Sequence, residues 1–402
     1  MTEGKKKVPE VRFPGFVEPW ERKKLGEVCI FRRGSFPQPY GRKEWFDGDG
    51  AMPFVQVVDV TDNLTLVDDT KQKISKLAQT KSVFVPEGKI VVTLQGSIGR
   101  VAITQYDAFV DRTLLIFEEY KIKVHPVFWA YCIQQKFEIE KKKAPGGTIK
   151  TITKEALSEF SICFPKYDEQ EKIGELLSKV EHLIANQQHK LDHLQLKKKG
   201  LLQKIFPRDG ATVPELRFPG FSGEWEQRKL GEIATFINGR AYSQKELLDN
   251  GKYRVLRVGN FYTNDSWYFS DMELDEKYYA NYGDLLYTWS ATFGPHIWTG
   301  EKVIFHYHIW KVELSSQLEK NFTVQLLERD KNEIISDKNG STMVHITKNG
   351  MEKKEVIIPK NVEEQKKIGE FFDQLDDLIT LNQRKVDHLQ TQKKAMLQKM
   401  FV

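Results

Sequence analysis

Two long stretches of the chain carry apolar residues at alternating steps of three and four. They cover residues 168–206 and 363–402. An apolar period of 3.5 residues, sustained over about four to five heptads, is typical of helices that supercoil around each other. We therefore predict two long helices. Their apolar ladder positions are Ile173, Leu177, Val180, Ile184, Leu191 and Leu194 in the first stretch, and Ile368, Phe372, Leu375, Ile379, Val386 and Leu389 in the second.

Two further ladder positions are polar. Gln187 and Lys198 stand there in the first stretch, and Asn382 and Lys393 stand at the matching places of the second. Polar residues at such positions lower stability but fix the register of a helix pair, so they indicate a specified partner. At 1.5 Å per residue, a helix of roughly 38 residues reaches about 57 Å. We predict that the two helices form an antiparallel coiled coil within the chain and act as a spacer.

The chain contains one sequence unit written twice. Residues 9–31 and 214–236 are identical at more than half of their positions, and both contain RFPGF and KLGE. Residues 146–206 and 340–401 share ITK, a proline–lysine pair, EQ, KIGE, DHLQ and LQK. Agreement of this length indicates an internal tandem duplication. Together with an antiparallel helix pair, the duplication predicts pseudo-two-fold symmetry.

Between the shared segments the two copies differ. Short β-rich runs occur at 53–60 and 89–94 in the first copy and at 254–258 and 284–289 in the second, and a helical pattern covers 126–142. These patterns predict an α+β fold, in which two related mixed α/β domains are joined by the long helices. The predicted boundaries are 1–167 and 207–362 for the domains with their lead-in segments, and 168–206 and 363–402 for the helices.

Size and composition exclude several classes of protein. The 402 residues suffice for two ordinary domains besides the helices. No apolar run is long enough to cross a membrane, and the start at 1–7 lacks the apolar region of a signal peptide. The three cysteines have no metal or disulfide spacing, which indicates free thiols in a reducing cytoplasm. A formal net charge of +5 does not by itself indicate a nucleic-acid partner.

A long spacer with two related but unlike domains favours one kind of function. Modules that read DNA grooves must be spaced to match the helical repeat, about 34–36 Å per turn. A spacer of the predicted length is able to set such a spacing, and unlike domains would read unlike half-sites. The sequence therefore predicts binding to a bipartite, asymmetric DNA site.

The whole chain resembles the specificity subunits of type I restriction–modification enzymes. The resemblance rests on the duplicated order of variable domain and long helix, on the Leu-Gly-Glu lead-in segments, and on helix starts with Pro, Glu-Gln and Ile-Gly-Glu. It implies two target-recognition domains, each binding half of a split double-stranded DNA site, with two methyltransferase subunits docked along the helices and restriction–translocation subunits joining them. It also implies a non-catalytic subunit without cofactors, because S-adenosylmethionine and ATP belong to its partners.

Other functions remain as alternatives. The sequence contains no Walker A loop, no HExxH and no Asn-Pro-Pro-Tyr motif, which disfavours a fused methyltransferase or nuclease. A coiled-coil scaffold that pairs between chains and a stand-alone bipartite DNA-binding protein stay open, although the matched ladders within one chain favour internal pairing. The nine histidines lack cysteine or carboxylate support, so we predict no metal site.

In the first domain, basic clusters and a glycine-punctuated loop at 95–100 are the candidates for DNA contact. Gln suits adenine and Arg suits guanine in the major groove. The alternative is an ordinary hairpin turn with solvated side chains. The candidate residues are Arg32, Arg33, Arg42, Lys43, Gln95, Ser97 and Arg100.

In the second domain, the loop at 287–294 occupies the matching position. The candidates are Arg240, Arg257, Trp289, Ser290, Thr292 and His296. For Trp289 we favour core packing over DNA contact. The second domain is slightly acidic, so any phosphate-binding surface there must be local. Glycine-containing loops before the ITK segments are either phosphate-binding loops or merely solvated ones; they add Lys142, Lys143, Lys150, Lys338 and Thr342.

Overall fold

A computed structural model describes residues 8–143, 154–208, 210–262, 264–290, 292–336 and 346–402. Contacts between residues divide the chain into two compact units. The first unit consists of Met1–Gln188 and Arg384–Val402, and the second consists of His189–Gln383. Each unit therefore contains one variable domain together with one part of each long helix.

The first unit is a mixed α/β structure with two four-stranded sheets. Its elements are β1 Glu21–Lys24, α1 Leu25–Val28, β2 Cys29–Arg33, β3 Met52–Val55, β4 Gln72–Ile74, α2 Lys76–Gln79, β5 Val83–Val85, β6 Ile90–Thr93, β7 Val101–Ile103, β8 Ala108–Val110, β9 Leu114–Tyr120, α3 Pro126–Lys143, α4 Lys154–Ser158, β10 Ser161–Phe164 and the start of α5 Tyr167–Ile205. One sheet has the antiparallel order β2-β9-β6-β7. The other has the order β4-β3-β8-β5, in which β3 and β8 run parallel.

The second unit repeats this topology. Its elements after α5 are β11 Glu226–Lys229, α6 Leu230–Ile233, β12 Ala234–Asn238, β13 Tyr253–Leu256, β14 Tyr268–Ser270, β15 Tyr279–Ala280, β16 Leu285–Thr288, β17 Gly294–Ile297, β18 Val303–Phe305, β19 Ile309–Leu314, α7 Lys320–Ser336, α8 Lys348–Lys353, β20 Glu355–Ile358 and α9 Val362–Met400. The sheets have the orders β12-β19-β16-β17 and β14-β13-β18-β15, and β13 and β18 run parallel. The predicted mixed α/β class with two long helices is confirmed.

The predicted strand at 53–60 is wrong at its end. Strand β3 ends at Val55, and a 3₁₀ turn follows at Val57–Asp59. The Asp59 carboxylate accepts a hydrogen bond of 2.7 Å from the backbone N–H of Gln56. A short acidic side chain that bonds to the nearby backbone competes with the strand ladder, and here it turns the chain away from the sheet.

The two long helices run antiparallel within each unit. In the first unit, Ile173 near the start of α5 shares a core with Met400 at the end of α9. In the second unit, Ile205 at the end of α5 shares a core with Ile368 near the start of α9. Both pairings follow the predicted ladder, because positions spaced by three and four lie on one face of a helix.

Burial along the ladder follows the predicted stripe. The buried ladder residues are Ile173, Leu177, Val180, Ile184, Leu191, Ile368, Phe372, Leu375, Asn382 and Val386, and the half-buried ones are Gln187, Leu194, Ile379 and Leu389. The polar Asn382 is only 2% exposed, and its Nδ2 donates to the backbone O of Leu378 at 2.6 Å. A buried amide that is hydrogen-bonded avoids the cost of an unsatisfied polar group.

The shared RFPGF and EQ motifs meet in a buried ion pair. Arg12 of the first RFPGF segment donates two hydrogen bonds, of 2.8 and 2.6 Å, to Glu169 in the first turn of α5. Arg217 and Glu364 form the same bidentate pair in the second unit, with both bonds at 2.8 Å. A fork-shaped guanidinium and a carboxylate match each other geometrically. The pair fixes each lead-in segment to the start of a long helix.

The glutamine of each EQ motif fixes the helix of the variable domain. Gln170 donates to Pro165 O at 2.9 Å and accepts from the backbone N–H of His125 at 3.2 Å, just before α3. Gln365 accepts in the same way from the backbone N–H of Glu319, at 2.9 Å, just before α7. Because the free N–H groups at a helix start need partners, these amides place α3 and α7 against the long helices.

Aromatic residues close the other end of each long helix. Phe401 stacks on Phe128 of α3, with ring centroids 5.3 Å apart, and meets Trp20 of the lead-in edge-on at 6.2 Å. Phe206 stacks on Phe322 of α7 at 5.4 Å in the second unit. Such aromatic pairs contribute about 0.5–1.5 kcal/mol beyond area burial. Lead-in, variable domain and long helices thus form one packed body in each unit.

Candidate nucleic-acid interface

Four loops of the first unit meet where strands β2, β3, β6 and β8 end. This surface is termed the first loop face, and it comprises residues 34–45, 55–60, 94–100 and 110–114. Three backbone hydrogen bonds join its loops: Ser35 N–H to Val110 O at 3.0 Å, Asp111 N–H to Val55 O at 3.0 Å and Leu94 N–H to Thr113 O at 2.8 Å. Because each loop is bonded to a neighbour, the side chains that leave this surface have a fixed support.

The second unit has the same surface. The second loop face comprises residues 239–246, 256–262, 289–290, 292–294 and 305–309. Its equivalent backbone bonds are Arg240 N–H to Phe305 O at 3.1 Å, His306 N–H to Leu256 O at 2.9 Å and Trp289 N–H to His308 O at 3.1 Å. The two faces therefore share a backbone frame and differ in the side chains that they carry.

A glycine is required at one position of each frame. A Cβ atom at Gly34 would overlap the carbonyl oxygen of Val110, and a Cβ atom at Gly239 would overlap that of His306. No side chain fits where the backbones approach so closely. The turn that follows β3 also has a counterpart on the second face. There, Asn260 Oδ1 accepts a hydrogen bond of 3.0 Å from the backbone N–H of Arg257. Each loop after a strand is thus fixed by local sequence.

The structure brings five of the predicted residues onto the first loop face. Gln95 and Ser97 are exposed in the loop after β6, and Lys43 is exposed at the start of a 3₁₀ turn, Lys43–Trp45, between β2 and β3. Arg42 and Arg100 also lie there, each beside an acid: Arg42 binds Glu44 at 2.9 Å and Arg100 binds Asp62 at 2.8 Å. These ion pairs engage one arginine that the sequence predicts from a basic cluster, Arg42, and one that it predicts from the glycine-punctuated loop, Arg100.

Arg32 and Arg33 lie outside the face. Both belong to β2, where alternate side chains point to opposite sides of the sheet. Arg32 lies 3.7 Å from Glu118 of the neighbouring strand β9. The charge cluster of the sequence is therefore split by the strand and is not one surface patch.

Three residues of the first face were not among the predicted ones. Tyr40, Gln56 and Arg112 adjoin one another: Gln56 Nε2 donates to Tyr40 Oη at 2.8 Å, and the Arg112 guanidinium lies 5.8 Å from the centre of the Tyr40 ring. Burial and the nearby Asp111 carboxylate raise the pKa of Tyr40, so the phenol stays protonated at neutral pH. The available signal was the internal alignment, which sets VQV at 55–57 against LRV at 256–258.

The predicted arginines of the second face are engaged. Arg240 forms an ion pair of 2.6 Å with Glu246. Hydrogen bonds from Arg240 and then from Ser243 lower the pKa of Glu246 to about 2. Arg257 stacks over the Tyr268 ring at 4.3 Å and donates to the backbone O of Ser266 at 3.3 Å. Both guanidinium groups are thereby held in place.

Trp289 packs against the core, as the favoured interpretation of the sequence has it. Its ring stacks with Trp310 at 5.9 Å, and its Nε1 donates to the backbone O of Tyr307 at 2.9 Å. Ser290 beside it is half-buried, while Thr292 is exposed. The indole therefore supports the turn that carries Tyr307, itself an exposed residue of the second face that was not predicted.

His296 is a neutral, stacked residue of β17. Its ring stacks on Phe261 at 4.1 Å and lies within 3.3 Å of the hydroxyl groups of Tyr262 and Thr288. Burial, followed by the charge of Lys331, lowers the pKa of His296 to about 4. An uncharged imidazole at neutral pH offers hydrogen bonds but no ion pair to a phosphate.

The remaining predicted residues or their side chains lie outside the part of the chain that the structure describes. Lys150, Lys338 and Thr342 are not among the described residues, nor are the side chains of Lys142 and Lys143. Among the residues that are described, no group of three or more His, Cys, Asp or Glu side chains has an arrangement that suits a metal ion. No helix of the described ranges is long and apolar enough to cross a membrane.

Comparison with known proteins gives this repeated architecture a family. Residues 17–196 and 222–391 each match the type I restriction modification DNA specificity domain. Together the two matches cover most of the chain, one in each half of the duplication. The chain therefore belongs to the type I restriction–modification specificity family, and the resemblance inferred from the sequence is confirmed.

Similar proteins agree with this family over nearly the full length. The type I restriction enzyme MjaVIII specificity subunit of Methanocaldococcus jannaschii is 21% identical over 94% of this chain and 91% of its own. The MjaIX specificity subunit of the same organism is 22% identical, over 95% and 92%.

Solved structures share the fold. The crystal structure of the type I restriction–modification S subunit from M. genitalium matches with a TM-score of 0.63 at 16% identity, covering 98% of this chain and 99% of that one. A chain from a structural study of complex assembly and conformational transition in the type I R-M system matches with a TM-score of 0.57 at 17% identity, over 98% and 99%.

Proposed function

We propose that this chain is the DNA specificity subunit of a type I restriction–modification complex, and that it binds a bipartite, asymmetric double-stranded site. The target-recognition domains would be residues 1–167 and 207–362, each reading one half-site, and the helices at 168–206 and 363–402 would be the spacer. The observation that carries the proposal is the repeated frame of the loop faces. A common backbone support with unlike exposed side chains suits two readers of unlike sequences.

The proposed contacts with DNA lie on the two loop faces. Phosphate contacts position a protein on DNA, and contacts to base edges specify the sequence. Gln95, Ser97 and Lys43 on the first face and Thr292 on the second are exposed and suited to such contacts. The other predicted residues stay candidates; those already in ion pairs must exchange a carboxylate for a phosphate or a base.

The chemistry is assigned to other subunits. In this proposal the chain is not catalytic, and two methyltransferase subunits and restriction–translocation subunits supply methylation and ATP-dependent cleavage. Support comes from leucines that widen the apolar stripe of the long helices without being covered: Leu183 is 55% exposed and Leu378 is 49% exposed. Exposed leucines beside a packed seam suit contact with partner helices.

Methylation mapping tests the proposal. The chain is expressed in cells together with its candidate methyltransferase, and methylated bases are located by single-molecule sequencing. We expect one new motif with two unlike halves and a fixed gap, absent from cells that express the methyltransferase alone. Replacing residues 236–340 by those of a related chain should change one half only. If the chain forms the complex with the methyltransferase and no motif appears, the specificity role is refuted.

A further inference from the structure

We infer that Arg112 is the residue of the first loop face that reads a guanine in its half-site. The inference rests on the proposed function and adds to it a named base and a named side chain. Arg112 is exposed in the short turn between β8 and β9. Its counterpart in the second face is Tyr307. It was not among the residues that charge clustering selected.

The backbone on both sides of Arg112 is fixed. The preceding residue, Asp111, is 3% exposed, and its N–H donates to Val55 O at 3.0 Å. One oxygen of the Asp111 carboxylate accepts from Thr113 N–H at 3.0 Å and from Thr113 Oγ1 at 2.6 Å. The turn is therefore closed by its own side chains, and Arg112 leaves it from a defined position. A preformed site loses less conformational entropy on binding.

The guanidinium of Arg112 is available for a ligand. Other arginines near the first loop face have acidic neighbours: Arg32 has Glu118, Arg42 has Glu44 and Arg100 has Asp62. Within the described part of the chain, Arg112 makes no hydrogen bond or ion pair, and its charge lies 5.8 Å from the centre of the Tyr40 ring. An aromatic face holds a cation without using its N–H groups, so the donors of Arg112 stay free.

The chemistry of the free fork favours guanine over the other bases. A guanidinium offers two parallel N–H donors, and guanine presents two acceptors, O6 and N7, side by side in the major groove. Beside it, Gln56 is held by its hydrogen bond to Tyr40 at 2.8 Å, and its amide would suit an adenine at a neighbouring position by the same geometric rule. Arg112, Tyr40 and Gln56 thus form one continuous reading surface.

The second face offers a natural comparison. Tyr307 occupies the position of Arg112, is 39% exposed and carries no guanidinium. The guanine contact should therefore belong to the half-site of the first unit only. This asymmetry ties the expected change in the DNA motif to one half of the site.

The test compares Arg112→Lys and Arg112→Ala with the matched variant Arg22→Lys, at an exposed arginine of β1 that is not a candidate for DNA contact. All are made in the full chain, assembled with its methyltransferase, and the methylated motif is mapped as for the wild type. Lysine keeps the charge and any phosphate contact but lacks the bidentate fork. For both Arg112 variants we expect one guanine position, in one half-site, to become degenerate, with discrimination at that position reduced about 10-fold or more. Arg22→Lys should leave the motif unchanged.

Other outcomes overturn the inference. If Arg112→Lys keeps the full motif while Arg112→Ala only reduces methylation at every site, Arg112 contacts phosphate and reads no base. If both variants methylate the wild-type motif at the wild-type level, Arg112 does not contact DNA. A wild-type complex without any motif refutes the proposed function itself, so the two failures are distinguishable. Each variant chain should unfold at the same midpoint temperature as the wild type, which verifies that its folding is intact.

Discussion

Lys198 of α5 donates to both carboxylate oxygens of Asp376 of α9, at 2.6 and 2.8 Å. The duplication repeats the pair, since Lys393 and Glu181 stand at the corresponding positions and form an ion pair as well. Gln325 of α7 adds a hydrogen bond of 3.1 Å to Asp376. Each lysine at a ladder position is therefore paired with an acidic residue of the other long helix. Asp376 also contacts the helix of the variable domain, α7.

The Lys198–Asp376 pair should contribute a measurable coupling energy. The lysine side chain is 16% exposed and the aspartate 37%, so solvent screens the interaction in part. A double-mutant cycle with Lys198→Ala and Asp376→Ala should give a coupling of about 0.5–1 kcal/mol in the free energy of urea unfolding. The coupling should shrink at high salt.

The neighbouring Lys197 provides the control for this cycle, because it is exposed on the same helix turn. Lys197→Ala and Asp376→Ala should be additive within about 0.3 kcal/mol. A coupling for Lys198 no larger than that for Lys197 would mean that the contact makes no net contribution to stability.

Neutralising the acid of an EQ motif should destabilise the chain strongly. In Glu364→Gln, the Arg217 guanidinium, only 15% exposed, keeps its charge but loses the carboxylate. Removing one partner of a buried ion pair costs about 3 kcal/mol. Urea unfolding should show this loss, whereas Glu363→Gln, at an exposed position of the same helix turn, should cost less than about 0.5 kcal/mol. Equal effects of the two substitutions would contradict the structural role of Glu364.

The glycine of the KIGE motif should not tolerate alanine. A Cβ atom at Gly369 would lie 2.6 Å from the backbone nitrogen of Phe322, where α7 meets α9. The higher helix propensity of alanine, worth about 1 kcal/mol, should be outweighed by steric overlap costing about 1–3 kcal/mol. Gly200→Ala has open space in α5 and should stabilise the chain. Thermal unfolding midpoints that move in opposite directions for the two variants would support this account, and a stabilised Gly369→Ala would refute it.

His296 should make stability depend on pH. Its pKa is lowered from 6.5 to about 4 in the folded chain, chiefly by burial, so the unfolded state binds the proton more tightly. The contribution of the neutral His296 to the free energy of unfolding is therefore fully present above about pH 6.5, and it is lost as the pH falls toward about 4. Between pH of about 7.5 and about 5, the wild type should lose about 1–2 kcal/mol more than His296→Gln in urea unfolding.

The exposed His193 of α5 provides the control for this experiment. His193→Gln removes an imidazole that is exposed to solvent, so it should alter the pH profile of unfolding less than His296→Gln does. An identical pH profile for the wild type and His296→Gln would mean that the imidazole does not resist protonation in the folded state.

Local regularity explains what was predictable. The ladder of the long helices repeats every few residues, so its period, its approximate ends and its partner stripe are visible in the sequence. The duplication is visible for a similar reason, because a segment written twice is recognised by its repeated letters. Hydrogen bonds from the backbone to a side chain within a single turn follow no such period. For this reason the sequence predicts too long a strand at 53–60.

The loop faces required tertiary structure. Val55 and Asp111 are far apart in the sequence, and only the parallel pairing of β3 and β8 brings their loops together. The sequence predicts Arg42 from a basic cluster and Arg100 from a glycine-punctuated loop, but neighbouring acids engage both in the fold.

The sequence by itself determined the family, the duplication and the helix pair, because these depend on patterns between near neighbours or on repeated letters. The tertiary structure decided which side chains remain available. A lone arginine such as Arg112 has no distinguishing pattern in the sequence. Its availability depends on the distances from its guanidinium to acids elsewhere in the chain, and those distances exist only in the folded protein.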